Sequence, residues 1–269
     1  MGVDVLSHLT AAALEKPIRQ NADLPAWEGH IPFAFWCIEQ WRPRIFVELG
    51  THAGSSYFAF CQSVAAHKTG TQCFAVDTWQ GDPHAKSYGG EIFSDVAAHN
   101  EQHYADFSRL LRMRFDEALG QFADGSIDLL HIDGFHTYDA VRHDFETWLP
   151  KMSTRGIILF HDSNVFKNGF GVWRLMRELE LPYPHFHFLH SNGLSMFAVS
   201  EDAPQEARWM TSLSAAESKI WRREFSRLGD RILRDADPKH AAFHPLRRLR
   251  NRLRRWSALT RYSLRSNDR

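Results

Sequence analysis

Between Arg44 and Ser200 the chain alternates short, continuously apolar runs with longer stretches in which apolar residues recur every three or four positions. Short apolar runs bounded by Gly, Pro or charged residues mark strands buried on both faces, and the longer period marks helices packed by one side. On that basis Ile45-Phe46-Val47, Gln72 to Val76, Ile127 to Ile132 and Gly156 to Phe160 are expected to be strands, with Leu110 to Arg114 a shorter one. Helices are expected over Tyr57 to Ala66, Phe93 to Tyr104, Asp116 to Phe122, Tyr138 to Leu149 and Val172 to Leu179, the fourth ended by Pro150. His185 to Leu189 and Leu194 to Val199 read as a closing pair around the turn Ser191-Asn192-Gly193. Such alternation specifies a doubly wound α/β sheet, mostly parallel.

The flanks break this rhythm. Residues 1–43 are rich in aromatics (Trp27, Phe33, Phe35, Trp36, Trp41) and read as a helical cap, while residues 201–269 are polar, helical in pattern and without a strand signal. Three parts follow: a cap over 1–43, a central domain over 44–200 and a basic helical extension over 201–269.

Composition refines the picture at few points. The chain has 269 residues, 43% hydrophobic and 24% charged, as a globular protein with one large core would. Its 32 basic and 32 acidic residues balance, but unevenly: from Pro238 onward ten basic residues face a single acid, Asp268. Leu246, Leu249, Leu253 and Trp256 recur there at helical spacing among Arg247, Arg248, Arg250, Arg252, Arg254 and Arg255. This basic amphipathic segment suits an anionic membrane surface; nucleic acid, a neighbouring subunit and plain solvent are the competing readings. Cys37, Cys61 and Cys73 have no metal-ligand spacing and read as buried thiols of a reducing compartment. No apolar run reaches the roughly 20 residues that cross a bilayer, MGVDVLSHLT lacks the form of a signal peptide, and Leu6 breaks the myristoylation pattern. A cytoplasmic protein is expected, with peripheral contact at the inner membrane surface open to it through the tail.

Candidate chemistry begins at the first strand's end. Phe46-Val47-Glu48-Leu49-Gly50-Thr51-His52-Ala53-Gly54-Ser55-Ser56 is a strand, a Gly-bearing turn and a helix start, where backbone N–H groups can approach a ligand. His52 stands where a dinucleotide fingerprint needs its second Gly, which argues against a nicotinamide cofactor. Asp77 closes the next strand, where a carboxylate can accept both hydroxyls of a ribose. The alternative is a tight turn and a helix-capping acid. Asp133 ends one central strand and His161-Asp162 the next, so all three are expected at the carboxyl edge of the sheet, where ligands bind. His131, inside its strand, reads as a core histidine or cofactor wall, and Arg142, His143, Asp144 and Glu146 as the solvated face of a helix.

Together, Glu48-Leu-Gly-Thr-His-Ala-Gly-Ser-Ser56, Ala75-Val-Asp-Thr-Trp79, Asp128-Leu-Leu-His-Ile-Asp-Gly134, His136-Thr-Tyr138 and Leu159-Phe-His-Asp162 resemble class I S-adenosylmethionine (SAM) methyltransferases over about residues 44–200. The similarity is closest to the branch with an Ile-Asp-Gly-x-His-x-Tyr segment, which includes macrocin O-methyltransferase-like, cephalosporin-hydroxylase-like and sugar-cluster enzymes. The resemblance implies a Rossmann-like, seven-stranded fold and a cofactor cradle of Glu48, Gly50, Thr51, Gly54, Ser55, Ser56, Asp77, Thr78, Trp79, Asp116 and Asp133. Glu48 would lie near the methionine part, Asp77 on the ribose and Asp116 on the adenine.

It also implies that His136 is the general base, acting with Asp133 on an acceptor hydroxyl. In metal-dependent relatives magnesium sits at the positions of Asp133, His161 and Asp162. His161 replaces a carboxylate there, which leaves magnesium, manganese, another divalent ion or no metal open. The expected function is O-methylation of a sugar, glycan or glycosylated natural product by a homo-oligomer. Competing readings are a non-catalytic SAM-binding module, a hydroxylase using His136, His161 and Asp162, and a nucleic-acid methyltransferase. The last lacks an Asn-Pro-Pro-aromatic segment.

Overall fold

A computed structural model describes residues 4–21, 25–81 and 90–236. Seven strands form one sheet: β1 (Ile45–Leu49), β2 (Gln72–Asp77), β3 (Ser108–Arg112), β4 (Ile127–Ile132), β5 (Met152–His161), β6 (His185–Phe188) and β7 (Leu194–Ala198). Their order is β3-β2-β1-β4-β5-β7-β6; β1 to β5 pair in parallel and β7 runs antiparallel to both neighbours. The order turns outward on either side of β1 and β4, so the carboxyl ends of β1, β2, β4 and β5 converge on one crevice.

The strands are where the apolar runs put them, with shifts of a few residues. β4, Ile-Asp-Leu-Leu-His-Ile, is buried at every position, as a central parallel strand must be. β5 starts four residues earlier than expected, at Met152, and its pairing with β4 shifts register between Ile127 and Leu129. The helices are α1 (Ile31–Trp41), α2 (Ser55–His67), α3 (Gly90–His103), α4 (Phe115–Ala118), α5 (Tyr138–Trp148), α6 (Val172–Leu179), α7 (Gln205–Ser212) and α8 (Ala215–Ala236).

Two apolar layers sandwich the sheet. One joins α4, α5 and α6 to Val47, Leu130, Ile158 and Phe160. The other collects α1, α2, α7 and α8 with Phe46, Leu129 and Leu159. α1 is apolar around most of its circumference and buried from Ile31 to Ile38, because it runs between α2 and α8 rather than over a surface. Arg42 in the left-handed region and Pro43 after it end the helix. The residues read as a cap, and the first part of the extension, therefore share the core of the central domain. No helix among the described residues is long and apolar enough to cross a membrane. The basic segment beyond residue 236 and residues 82–89 lie outside the described residues.

Candidate active site

The site is built at the carboxyl edge, beginning with the turn after β1. Gly50 has φ +88°, and a Cβ there would lie 2.3 Å from the backbone oxygen of Asp133. Only glycine lets the turn pass this close beneath the end of β4. Asp77 clamps the same turn: its Oδ2 accepts the backbone N–H groups of Thr51 and His52, each at 2.9 Å, and its Oδ1 accepts that of Trp79 at 2.7 Å. A carboxylate has about four acceptor positions, so three backbone donors leave Asp77 about one for a ligand. The Trp79 indole donates to the carbonyl of His52 and is itself enclosed.

The space above this turn is a cavity of about 500 Å³. Gly50, Thr51, Ser55, Ser56, Asp77 and Thr78 line one end, with the amino terminus of α2 directed at it. Arg114, Phe115, Asp116, His143 and Asp144 line a second part, and Asp133, His136, His161 and Asp162 a third. Of the expected cradle residues, Gly54 supports the turn from behind: a Cβ on it would meet the Phe58 ring at 2.5 Å. Trp79 likewise lies outside the lining.

Glu48 is fully buried beneath the turn rather than on the cavity wall. Its Oε2 faces Nδ1 of His131 at 2.8 Å, and Nε2 of His131 accepts the indole N–H of Trp27 at 3.2 Å. Accepting at Nε2 leaves the neutral ring proton on Nδ1, donated to Glu48. Burial pushes the Glu48 carboxyl up while the bond from His131 pulls it back. His131 is thus a core histidine, and this Trp27–His131–Glu48 chain ties the N-terminal segment to β1 and β4.

Asp133, His136, His161 and Asp162 meet as one cluster. His136 Nε2 lies 2.9 Å from Asp162 Oδ2 and 3.4 Å from Asp133 Oδ1; His161 Nδ1 lies 3.2 Å from the same oxygen of Asp133. His161 Nε2 donates to the carbonyl of Ser191 at 3.0 Å, so the turn between β6 and β7 aims the ring at the carboxylates. His136 stacks on Phe170, with centroids 4.7 Å apart and planes 12° from parallel. Asp162 is held at φ +54°, an uncommon conformation for a non-glycine residue and one that recurs at functional sites.

Burial pushes the pKa of both histidines down, but the two carboxylates outweigh it and raise His136 to about 10 and His161 to about 9. Burial would raise Asp133; the charge of His161 and the bonds from both rings instead hold it well below the usual carboxylate range. Donor atoms of Asp133, His136 and Asp162 all lie within 4.8 Å of one another, and Asp162 Oδ1 is a buried acceptor with no hydrogen-bond partner among the described residues. A mixed nitrogen and oxygen set of this kind fits a divalent transition ion better than magnesium. Here His136 joins the cluster as closely as His161 does.

Asp116 and Asp144 divide otherwise than the sequence suggests. Asp116 is exposed and paired with His143 at 2.9 Å, at the rim of the cavity. Asp144, read as part of the solvated face of α5, is buried and lines the cavity beside Phe115 and Gly134. Burial raises its carboxyl to about 7. The helical period carries the missed signal: Val141, Asp144, Phe145 and Trp148 are the buried face, spaced three, four and seven residues from the first.

Residues 47–163 match the family model of a methyltransferase domain. An uncharacterized protein of Sinorhizobium fredii (strain NBRC 101917 / NGR234), y4gI, is 50% identical over 213 residues, covering 78% of this chain and 23% of that protein. The chain thus spans about a quarter of the length of this relative. Among solved structures, the SAH-bound methyltransferase PaMTH1 of Podospora anserina is 13% identical with a TM-score of 0.51, over 75% of this chain and 98% of that one. A Corynebacterium glutamicum protein is 11% identical with a TM-score of 0.50, over 74% and 98%. These two likenesses bear on the fold alone. Residues 47–163, from the middle of β1 to the residue after Asp162, are thus similar to a methyltransferase domain, and the sheet that carries them has the Rossmann-like fold of that class.

Proposed function

We propose that this chain is a SAM-dependent O-methyltransferase whose acceptor hydroxyl lies over His136, and that the acceptor is a sugar, glycan or glycosylated natural product. The observation that carries the reading is that one cavity runs from the Gly50–Ser56 turn and Asp77 to the Asp133, His136, His161 and Asp162 cluster. A cofactor with its ribose at Asp77 would place its methionine end at the amino terminus of α2, where backbone N–H groups favour a carboxylate. Its adenine would then lie toward Phe115 and Asp144. A carboxyl held near neutrality there can donate or accept a hydrogen bond at the base edge, a task assigned to Asp144 in preference to Asp116. The sugar class of the acceptor rests on the sequence resemblance.

Methyl transfer to a hydroxyl requires that the oxygen lose its proton as the new bond forms. His136 is the imidazole in reach, packed on Phe170 and aimed by Asp133 and Asp162. In the geometry described, the two carboxylates keep a proton on it. A divalent cation held by Asp133, Asp162 and His161 would neutralise those carboxylates, lower the pKa of the acceptor hydroxyl and leave the proton to His136.

Calorimetric titration of the protein with S-adenosylhomocysteine tests the cofactor. The wild type should bind, and Asp77→Asn, which loses a charged acceptor, should bind about tenfold more weakly or worse. Absence of wild-type binding would overturn the reading. A panel of sugar acceptors with labelled SAM, with and without manganese, then tests the acceptor class and the ion.

A further inference from the structure

Away from the cavity just described, beside the edge strand β6, Glu180, His185 and His187 bring one donor atom each within 4.8 Å of the others. His185 and His187 are alternate residues of the edge strand β6, so both rings stand on one face while Phe186 and Phe188 fill the core on the other. Glu180 caps the end of α6 above them.

Both imidazoles are already oriented through one nitrogen. His185 Nδ1 donates to the carbonyl oxygen of Tyr183 at 3.0 Å, which leaves Nε2 as the nitrogen available to a ligand. His187 Nδ1 lies 2.7 Å from the hydroxyl of Ser195, its directly opposed partner on β7. His187 Nε2 is buried and faces Glu180 Oε1 at 3.4 Å. Burial lowers the pKa of this ring, which keeps it neutral and able to ligate. Arg177 pairs with the other oxygen of Glu180, leaving Oε1 for the site.

Imidazoles fixed through one nitrogen, with the other nitrogens and a carboxylate converging, form the arrangement that metal-binding histidines adopt. We propose that Glu180, His185 and His187 bind a divalent transition ion of the zinc type, tying α6 to the edge of the sheet. Two nitrogens and one carboxylate oxygen are a zinc-type set; three protein ligands leave a fourth position. That position opens on a separate cavity of about 480 Å³, which is also lined by Arg222. Water or a small anion completes the coordination there. No residue lines both this cavity and the cofactor cavity, so the ion is independent of methyl transfer.

The test is calorimetry with zinc chloride on tag-free full-length protein stripped with chelator, together with the visible spectrum of the cobalt(II) form. The variants are the double substitution His185→Ala/His187→Ala and, as control for the other cluster, Asp133→Asn/Asp162→Asn. The wild type should bind a zinc equivalent that the aspartate variant retains and the histidine variant loses, with four-coordinate cobalt bands kept and lost in the same way; any zinc held by the Asp133 cluster is the part that the aspartate variant loses. Should the histidine variant not fold, Ser195→Ala removes only the partner of His187 and should weaken the same zinc about 10–100-fold. A wild type without stoichiometric zinc, or zinc binding unchanged in the histidine variant or in Ser195→Ala, would overturn the proposal.

Discussion

An aspartate sits near each end of β4, and the two have opposite surroundings. Asp128, at the amino end, is enclosed and fully engaged: it accepts the Arg44 backbone N–H at 2.8 Å, its guanidinium at 2.8 and 2.9 Å, and the Ser153 hydroxyl. Burial alone would raise its pKa; Arg44 and Ser153 bring it to about 2. Asp133, at the carboxyl end, lines a cavity and meets only titratable partners, His136 and His161. One strand thus fastens the sheet at its closed edge and exposes a reactive cluster at its open edge. Carboxylates of the same type differ in role because a parallel sheet presents its ligand crevice at one end only.

The sharpest way to break this comparison is to neutralise Asp133. Asp133→Asn removes one of the two charges holding the proton on His136, whose pKa should fall from about 10 by roughly one to three pH units, read by imidazole NMR. Methyl transfer, once an acceptor is in hand, should fall by about 10²–10⁴-fold in His136→Ala while S-adenosylhomocysteine still binds. A His136 pKa that does not move in Asp133→Asn would detach the ring from the cluster.

Gly50→Ala should come next. The added methyl meets the backbone oxygen of Asp133 at a φ that penalises any side chain, so the turn must move. Cofactor binding should be lost in titration, with destabilisation of about 1–3 kcal/mol in urea unfolding. An alanine variant that binds S-adenosylhomocysteine as the wild type does would show that the turn need not pass under β4.

At the closed edge, Asp128→Asn should leave cofactor binding intact and cost about 3 kcal/mol in urea unfolding at neutral pH, because Arg44 and Ser153 lose a charged acceptor. The sign with pH is fixed. Asp128 has a folded pKa of about 2, below its ordinary 3.8, so its contribution is present above about pH 4 and is lost as pH falls through 2. The gap between wild type and Asp128→Asn should therefore close on acidification; a gap that is constant with pH would remove the ion pair from the account.

The sequence discloses the open edge better than the closed one. Buried parallel strands are continuous apolar runs, so their ends, and hence Asp133, His161 and Asp162, could be located from pattern alone; His136 followed by its place in the turn beyond. Contacts between distant segments have no such signature. The Trp27–His131 bond joins residues 104 apart in the chain, so Glu48, which by motif looks like a cofactor contact, gave no sign of being enclosed. Arg44 and Asp128 are 84 residues apart and equally silent. Asp144 is a different case, since the helical period marks its place on the buried stripe of α5 although its charge suggests solvent.

Asp144 also gives the comparison its finest test, as a buried carboxyl at the open edge whose pKa is raised rather than lowered. Its folded pKa of about 7 stands above its ordinary 3.8, so the folded chain holds this proton more tightly than the unfolded chain. The associated stability is complete below about pH 4 and is lost as pH rises through 7, opposite in sign to Asp128. Asp144→Asn, which cannot ionise, should therefore be more stable than the wild type at pH 8 by at least about 1 kcal/mol and should lose that advantage at pH 4. Bound S-adenosylhomocysteine sharpens the outcome: a ligand whose adenine meets Asp144 should move the pH at which the wild type loses stability. If that pH stays where it was in the free protein, the adenine lies elsewhere in the cavity.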